Sequence, residues 1–280
     1  DQRNLLLDCC ASVARRRGDL VARHLARWER ESPGTIDRAH WAFWHDPSED
    51  SEALFDLRLP HLASTRARRY PYDWPKLMAA HPIRSAKLLA TLLERTPRGD
   101  LVDSGQPDWM HGFPSPGDVP DALLRSGAEV FGELQQWWCH LEIDDLRSIR
   151  DKTFPGGPGP LVQIVDFLGK VLARSDSLSR KTWAEVTAGL PDPLRPLDGW
   201  LLLLIGCHLD PEEAPRESFA AAAEWIRSDP KWAHTDIGTG NRSLSLTSGF
   251  LGNIAPHLDA DDYDRLERWL IDYPDEWMVE

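Results

Sequence analysis

Cysteine is scarce in this chain. Four residues in 280, Cys9, Cys10, Cys139 and Cys207, exclude a disulfide-stapled scaffold. Cys9 and Cys10 are adjacent, a spacing that almost never bridges, and such usage fits a reducing compartment. Long apolar runs are missing too. The longest, Trp200 to Ile205, falls far short of the ~20 residues a membrane span needs. No signal-peptide pattern is present, so the expected location is cytoplasmic. Lysine is rare, six of 32 basic residues, a bias that suggests a GC-rich bacterial genome. The period-2 alternation that marks half-buried strands is absent as well.

Motifs with assignable chemistry are equally sparse. Gly238-Thr239-Gly240-Asn241-Arg242-Ser243 lacks the third glycine of a dinucleotide loop and the lysine of a P-loop. The pairs Cys139-His140 and Cys207-His208 could offer four zinc ligands. Structural zinc, however, uses ligands two to four residues apart, and neighbours on a helix point about 100° apart. Small packed cysteines beside helix-terminal histidines explain both pairs, so no metal and no cofactor is expected. Acidic pairs such as Asp144-Asp145, Glu212-Glu213 and Asp261-Asp262 lie where helices should begin, and capping accounts for them.

What is present is tryptophan and charge. Thirteen tryptophans supply bulky filler for gaps between helices, and some could anchor a partner. Net charge is −13, unevenly spread. Residues 1–100 carry 17 basic against 14 acidic side chains, and residues 101–280 carry 15 against 31. An acidic body binds nucleic acid poorly. Arg15, Arg16, Arg17, Arg66, Arg68 and Arg69 nevertheless form a candidate basic patch in the N-terminal third.

Apolar residues recur with helical spacing through most of the chain. Leu6, Cys9, Cys10 and Val13 share a face, and after Gly18 the stripe resumes at Val21, Leu25 and Trp28 until Ser32-Pro33-Gly34 stops it. Residues 35–75 are aromatic-rich and irregular, with short helices expected at 51–58 and 61–69. A helix over 82–95 carries Ala86, Leu89, Ala90 and Leu93 inward. A Pro/Gly-rich loop at 96–120 should be pinned by Trp109 and Phe113. One long helix is expected over 121–149. Further helices are expected near 161–174, 178–189, 197–208, 216–228 and 243–256. The helix at 197–208 is apolar all round and hence buried. The last follows the N-cap Asp259 and carries Tyr263, Leu266, Trp269 and Leu270. The fold class is therefore all-α: an irregular, α-solenoid-like array in the manner of HEAT or TPR repeats. Phe154-Pro155-Gly156-Gly157-Pro158-Gly159-Pro160 divides it into subdomains 1–153 and 161–280. A loose internal echo, Cys139-His140-Leu141 and Cys207-His208-Leu209, favours a repeat.

Two aromatic segments are the candidate contact surfaces. His40-Trp41-Ala42-Phe43-Trp44-His45-Asp46 and Tyr70-Pro71-Tyr72-Asp73-Trp74-Pro75 nominate Trp41, Trp44, His45, Tyr72 and Trp74 as binding residues, with Trp137 and Trp138 from the long helix. No catalytic residue can be assigned. The C-terminal third carries Ala220-Ala221-Ala222-Ala223-Glu224-Trp225-Ile226, Ser243-Leu244-Ser245-Leu246-Thr247-Ser248-Gly249-Phe250-Leu251 and Asp264-Arg265-Leu266-Glu267-Arg268-Trp269-Leu270. In this it resembles the helical-repeat sensor or scaffold regions of large bacterial NACHT- and STAND-type defence proteins. The resemblance implies a recognition part of a longer polypeptide, without the ATPase motor. The leading expectation is thus a protein-interaction or scaffold module that binds another protein or other domains of its own polypeptide, with no membrane and no nucleic acid. Its rivals are a small all-α enzyme with a pocket around His40, His45 and Asp46 or around Trp137, Trp138 and His140, and a nucleic-acid contact through the arginines.

Overall fold

The computed structural model describes residues 2–37, 46–63, 73–97, 100–101, 107–141, 160–175, 180–192, 194–210, 212–228, 252 and 254–272. Every regular element among them is helical. Contacts group the chain into two compact units, 1–97 with 107–134, and 98–106 with 135–280. The change-over falls inside a helix at Gln135. The expected linker 154–160 lies almost wholly outside the described residues, as do 64–69 of the helix expected at 61–69 and most of the one expected at 243–256.

In the first unit α1 (Gln2–Glu31) bends at Arg17, whose φ of −139° and ψ of 47° leave the helical region. Past the bend Val21 and Leu25 are buried with Ala14 and Leu54, and Trp28 packs on them. Before the bend Cys9 and Val13 are exposed, while Cys10 packs with Ala14 on the same core. That core joins α1 to α2 (Glu52–Leu62). That second helix continues past Pro60 to Leu62, where 51–58 was expected. Sequence reading missed α3 (Trp74–Ala80) altogether. Asp73 caps it by accepting from Lys76 N at 3.2 Å, and Pro75 fits its first turn. α4 (Pro82–Arg95) buries Ala86, Leu89, Ala90 and Leu93 as expected.

The 96–120 loop is pinned as its aromatics suggested. Trp74 Nε1 donates to the Trp109 carbonyl at 2.7 Å, and Trp109 Nε1 donates to Thr96 Oγ1 at 3.1 Å. Phe113 stands edge-on to both indoles. The expected long helix is two: α5 (Asp121–Arg125) and α6 (Gly127–Cys139), broken at Ser126.

The second unit is built on α9 (Pro196–His208), buried continuously from Leu197 to Gly206. α7 (Pro160–Arg174) and α10 (Pro215–Ser228) both pack on it. Gly169 permits the α7 approach, since a Cβ there would lie 2.9 Å from Leu204 Cβ. α8 (Arg180–Ala188) joins through Gly189, whose carbonyl accepts from Gln135 Nε2 at 2.9 Å. α11 (Ala260–Asp272) starts at its N-cap Asp259, which accepts from Asp262 N at 3.0 Å. Tyr263, on the apolar stripe of this helix, is 47% exposed, its hydroxyl donating to the Ala255 carbonyl at 2.7 Å. No helix among the described residues is long and apolar enough to cross a membrane.

Candidate functional site

The bend in α1 opens a cleft of about 340 Å³. Gly18 makes it possible. A Cβ at that position would meet Ser51 Oγ at 2.5 Å, so the bare backbone rests on the N-cap of α2. Arg15, Arg16, Arg17 and Arg23 line the cleft opposite Glu49 and Asp50, with Asp19 beside them. Three consecutive arginines cannot share one face of a straight helix. The break at Arg17 gathers them with Arg23 around one opening.

The charges of the cleft are unequal in freedom. Asp50 is fully buried and accepts from Arg58 Nη1 at 2.8 and 2.6 Å, so that guanidinium neutralises it from behind. Arg15 Nε lies 2.7 Å from Glu49 Oε2 in an exposed pair, a type worth about 0–1 kcal/mol. Glu49 is also 3.9 Å from Lys76 Nζ, which bonds Asp46 Oδ2 at 2.6 Å. Burial raises the Asp46 carboxyl, but its bonds from Lys76 and Ser48 outweigh this and hold it below the usual carboxylate range. Arg16, Arg17 and Arg23 are exposed and have no ion-pair partner among the described residues, Arg23 Nε donating to the Asp19 carbonyl at 3.4 Å. Four arginines thus face three carboxylates, one of them neutralised by Arg58, which leaves two positive charges in excess.

This is half of the basic patch read from the sequence. Arg15, Arg16 and Arg17 come together, while Arg66, Arg68 and Arg69 lie outside the described residues. Trp41, Trp44, His45 and Tyr72 do too. Trp74, Trp137 and Trp138, nominated as binding residues, do not offer a surface. Trp74 and Trp138 are 0% exposed and Trp137 5%, and Trp138 Nε1 donates to the buried Asp198 Oδ1 at 2.8 Å. Their rings fill the interior, each removing ~150–250 Å² from water, worth roughly 4–6 kcal/mol at the usual area coefficient.

The pockets imagined for an enzyme are not assembled by the described residues. His40 and His45 lie outside them, and Asp46 serves as a cap and ion-pair partner. His140 is exposed while Trp137 and Trp138 point into the core. The two Cys-His pairs also go separate ways. His208 Nε2 lies 2.7 Å from Asp166 Oδ1. Burial, helped by the Asp166 charge, pushes the Cys207 thiol up to about 12. No group of three or more metal-ligating side chains gathers among the described residues.

A second opening, about 430 Å³, lies between α10 and α11. Phe219, Ala220 and Ala223 form its floor. Arg216 pairs with Asp259, and Arg265 Nη1 lies 3.6 Å from Asp262 Oδ1. Sequence reading treated Asp259, Asp261 and Asp262 only as caps. Arg216 is 43 residues from Asp259 in the chain, a distance at which no local pattern signals pairing. Comparison with protein families, characterised proteins and solved structures finds no match to this chain.

Proposed function

We propose that the chain is a protein-interaction module that recognises its partner by charge, through openings at the edges of its helical packing. The observation that carries this is the cleft at the α1 bend, where an acidic chain of net charge −13 concentrates four arginines, three of them without an ion-pair partner among the described residues. Interfaces are steered and selected by such complementarity. The α10–α11 opening, with charged rims over an apolar floor, adds a second surface of the same kind. The resemblance of the C-terminal third to sensor and scaffold regions of NACHT- and STAND-type proteins supports the same reading. On that basis the module serves as the recognition part of a larger bacterial defence polypeptide.

The test isolates the native assembly from source cells carrying tagged wild-type protein, an Arg16→Glu/Arg17→Glu variant or a Glu224→Arg/Asp261→Arg variant. A stoichiometric protein partner, lost on reversing one pair of charges and retained by the other variant, is the expected result. The absence of any stoichiometric protein partner, or one retained by both variants, would refute the module.

A further inference from the structure

We propose that the cleft at the α1 bend is a receptor for a carboxylate side chain of an acidic partner segment, and that Glu49 is the internal competitor which that carboxylate displaces. This rests on the interaction-module reading and adds the chemistry of the partner and the means by which the site is kept occupied.

The cleft already holds a carboxylate. Glu49 Oε2 sits 2.7 Å from Arg15 Nε, so the wall of guanidinium donors accommodates this group at ion-pair distance. The grip is loose, because both side chains are well exposed, at 63% and 37%. Glu49 has an alternative cation in Lys76, 3.9 Å from its other oxygen, and can move toward it when another carboxylate arrives. The floor repels such a ligand little, since Asp50 is neutralised by Arg58. Arg16 and Arg17 remain as donors with no competing ion pair among the described residues. Guanidinium forks match a carboxylate in two parallel bonds.

The cleft favours a short acidic peptide over nucleic acid. It is a single opening of about 340 Å³, not a stripe of cations that follows a phosphate backbone.

The experiment uses the whole chain and a fluorescein-labelled hexaglutamate peptide, followed by anisotropy at low salt. An oligothymidylate of equal charge and inorganic phosphate serve as competitors. Wild-type protein should bind the peptide, and Arg16→Gln/Arg17→Gln should weaken it about tenfold or more, as expected for loss of charge-assisted contacts. The thermal melt of that variant should not change. Glu49→Gln should tighten the peptide by roughly two- to fivefold, the worth of an exposed ion pair. Failure to bind, equal affinity in the double variant, or no gain in Glu49→Gln overturns the proposal. So does displacement of the peptide by the oligonucleotide or by phosphate at lower concentration than by unlabelled hexaglutamate. If these results fail while a native partner is still lost on reversing Glu224 and Asp261, the module stands and only this cleft is reassigned.

Discussion

Arg195 donates to Asp198 from Nε and Nη2, at 2.9 and 2.8 Å, and to the carbonyls of Trp138, Cys139 and Leu141. Those carbonyls close the end of α6, where the chain leaves the helical pattern; that of Trp138 also accepts from Leu141 N at 3.1 Å. Asp198 is fully buried and orients the guanidinium from the first turn of α9. A lysine keeps the charge but not the planar fork. Arg195→Lys should therefore cost about 2 kcal/mol in urea denaturation, and an unchanged midpoint would show that the fork does not hold these elements. Glu29 gives a pH-dependent case. Its carboxylate accepts from Ile36 N at 2.8 Å and Gly34 N at 2.7 Å, and these bonds hold it below its ordinary value. A carboxyl lowered in the folded state stabilises above its unfolded pKa, about 4.3, and that contribution is lost as pH falls through the folded value. Glu29→Gln should thus be less stable at pH 7 by about 1 kcal/mol. Its stability should fall less steeply than wild type on acidification below about pH 4.5. Parallel pH curves for the two proteins would contradict this. For Cys207, a thiol pushed up to about 12 is almost wholly protonated near pH 8, and the thiolate is the reactive form. Iodoacetamide mapping at that pH should label exposed Cys139 well before Cys207; equal rates would place Cys207 in a different environment.

At the scale of helices, close backbone approach sets the tightest constraints. A Cβ at Gly169 would lie 3.1 Å from the Leu204 carbonyl carbon and 3.3 Å from Ile205 N, besides 2.9 Å from Leu204 Cβ. Backbone atoms yield little, so overpacking of about 1–3 kcal/mol should outweigh the propensity gain of up to about 1 kcal/mol. Gly169→Ala should accordingly melt lower than wild type; a higher melting temperature would mean that α7 and α9 can part without loss. The helices legible in the sequence were those with long, uninterrupted periodicity. α4, α7, α9 and α10 announce themselves by apolar spacing, and α9 also by lacking any polar side. Proline misled in both directions. It concealed α3, where Pro75 fits the first turn after an Asp cap, and suggested too early an end for α2. The stop at Ser126 is followed by Gly127, a glycine of the kind that ends helices, but the apolar spacing runs through it and hid the break. The first stripe of α1 and Tyr263 on α11 show another limit. Periodicity tells which residues share a face, while the neighbouring elements decide whether that face is covered.

Across the whole molecule, bulk aromatic content and surface charge have separate roles. The rings of Trp74, Trp109, Trp138 and Trp200 are wholly interior, so the proposed recognition rests on the charged side chains around the α1 bend and not on these aromatics. The arginine excess of residues 1–100 was readable from composition. The gathering of Arg15, Arg16, Arg17 and Arg23 was not, because it depends on the break at Arg17 and on Gly18 meeting Ser51 from a distant helix. Recognition by charge has a thermodynamic signature that recognition by aromatic anchors lacks. Exposed charges separated by more than a Debye length, about 10 Å at 0.1 M salt, are screened, whereas buried apolar contacts hold or strengthen. The most direct measurement is the affinity of the native partner for the full chain as ionic strength rises from about 0.05 to 0.5 M, a range over which the Debye length shrinks severalfold, with tryptophan fluorescence recorded alongside. Steep weakening with unchanged emission is the expected result. Affinity that holds across that range, with a shift in tryptophan emission on binding, would contradict it.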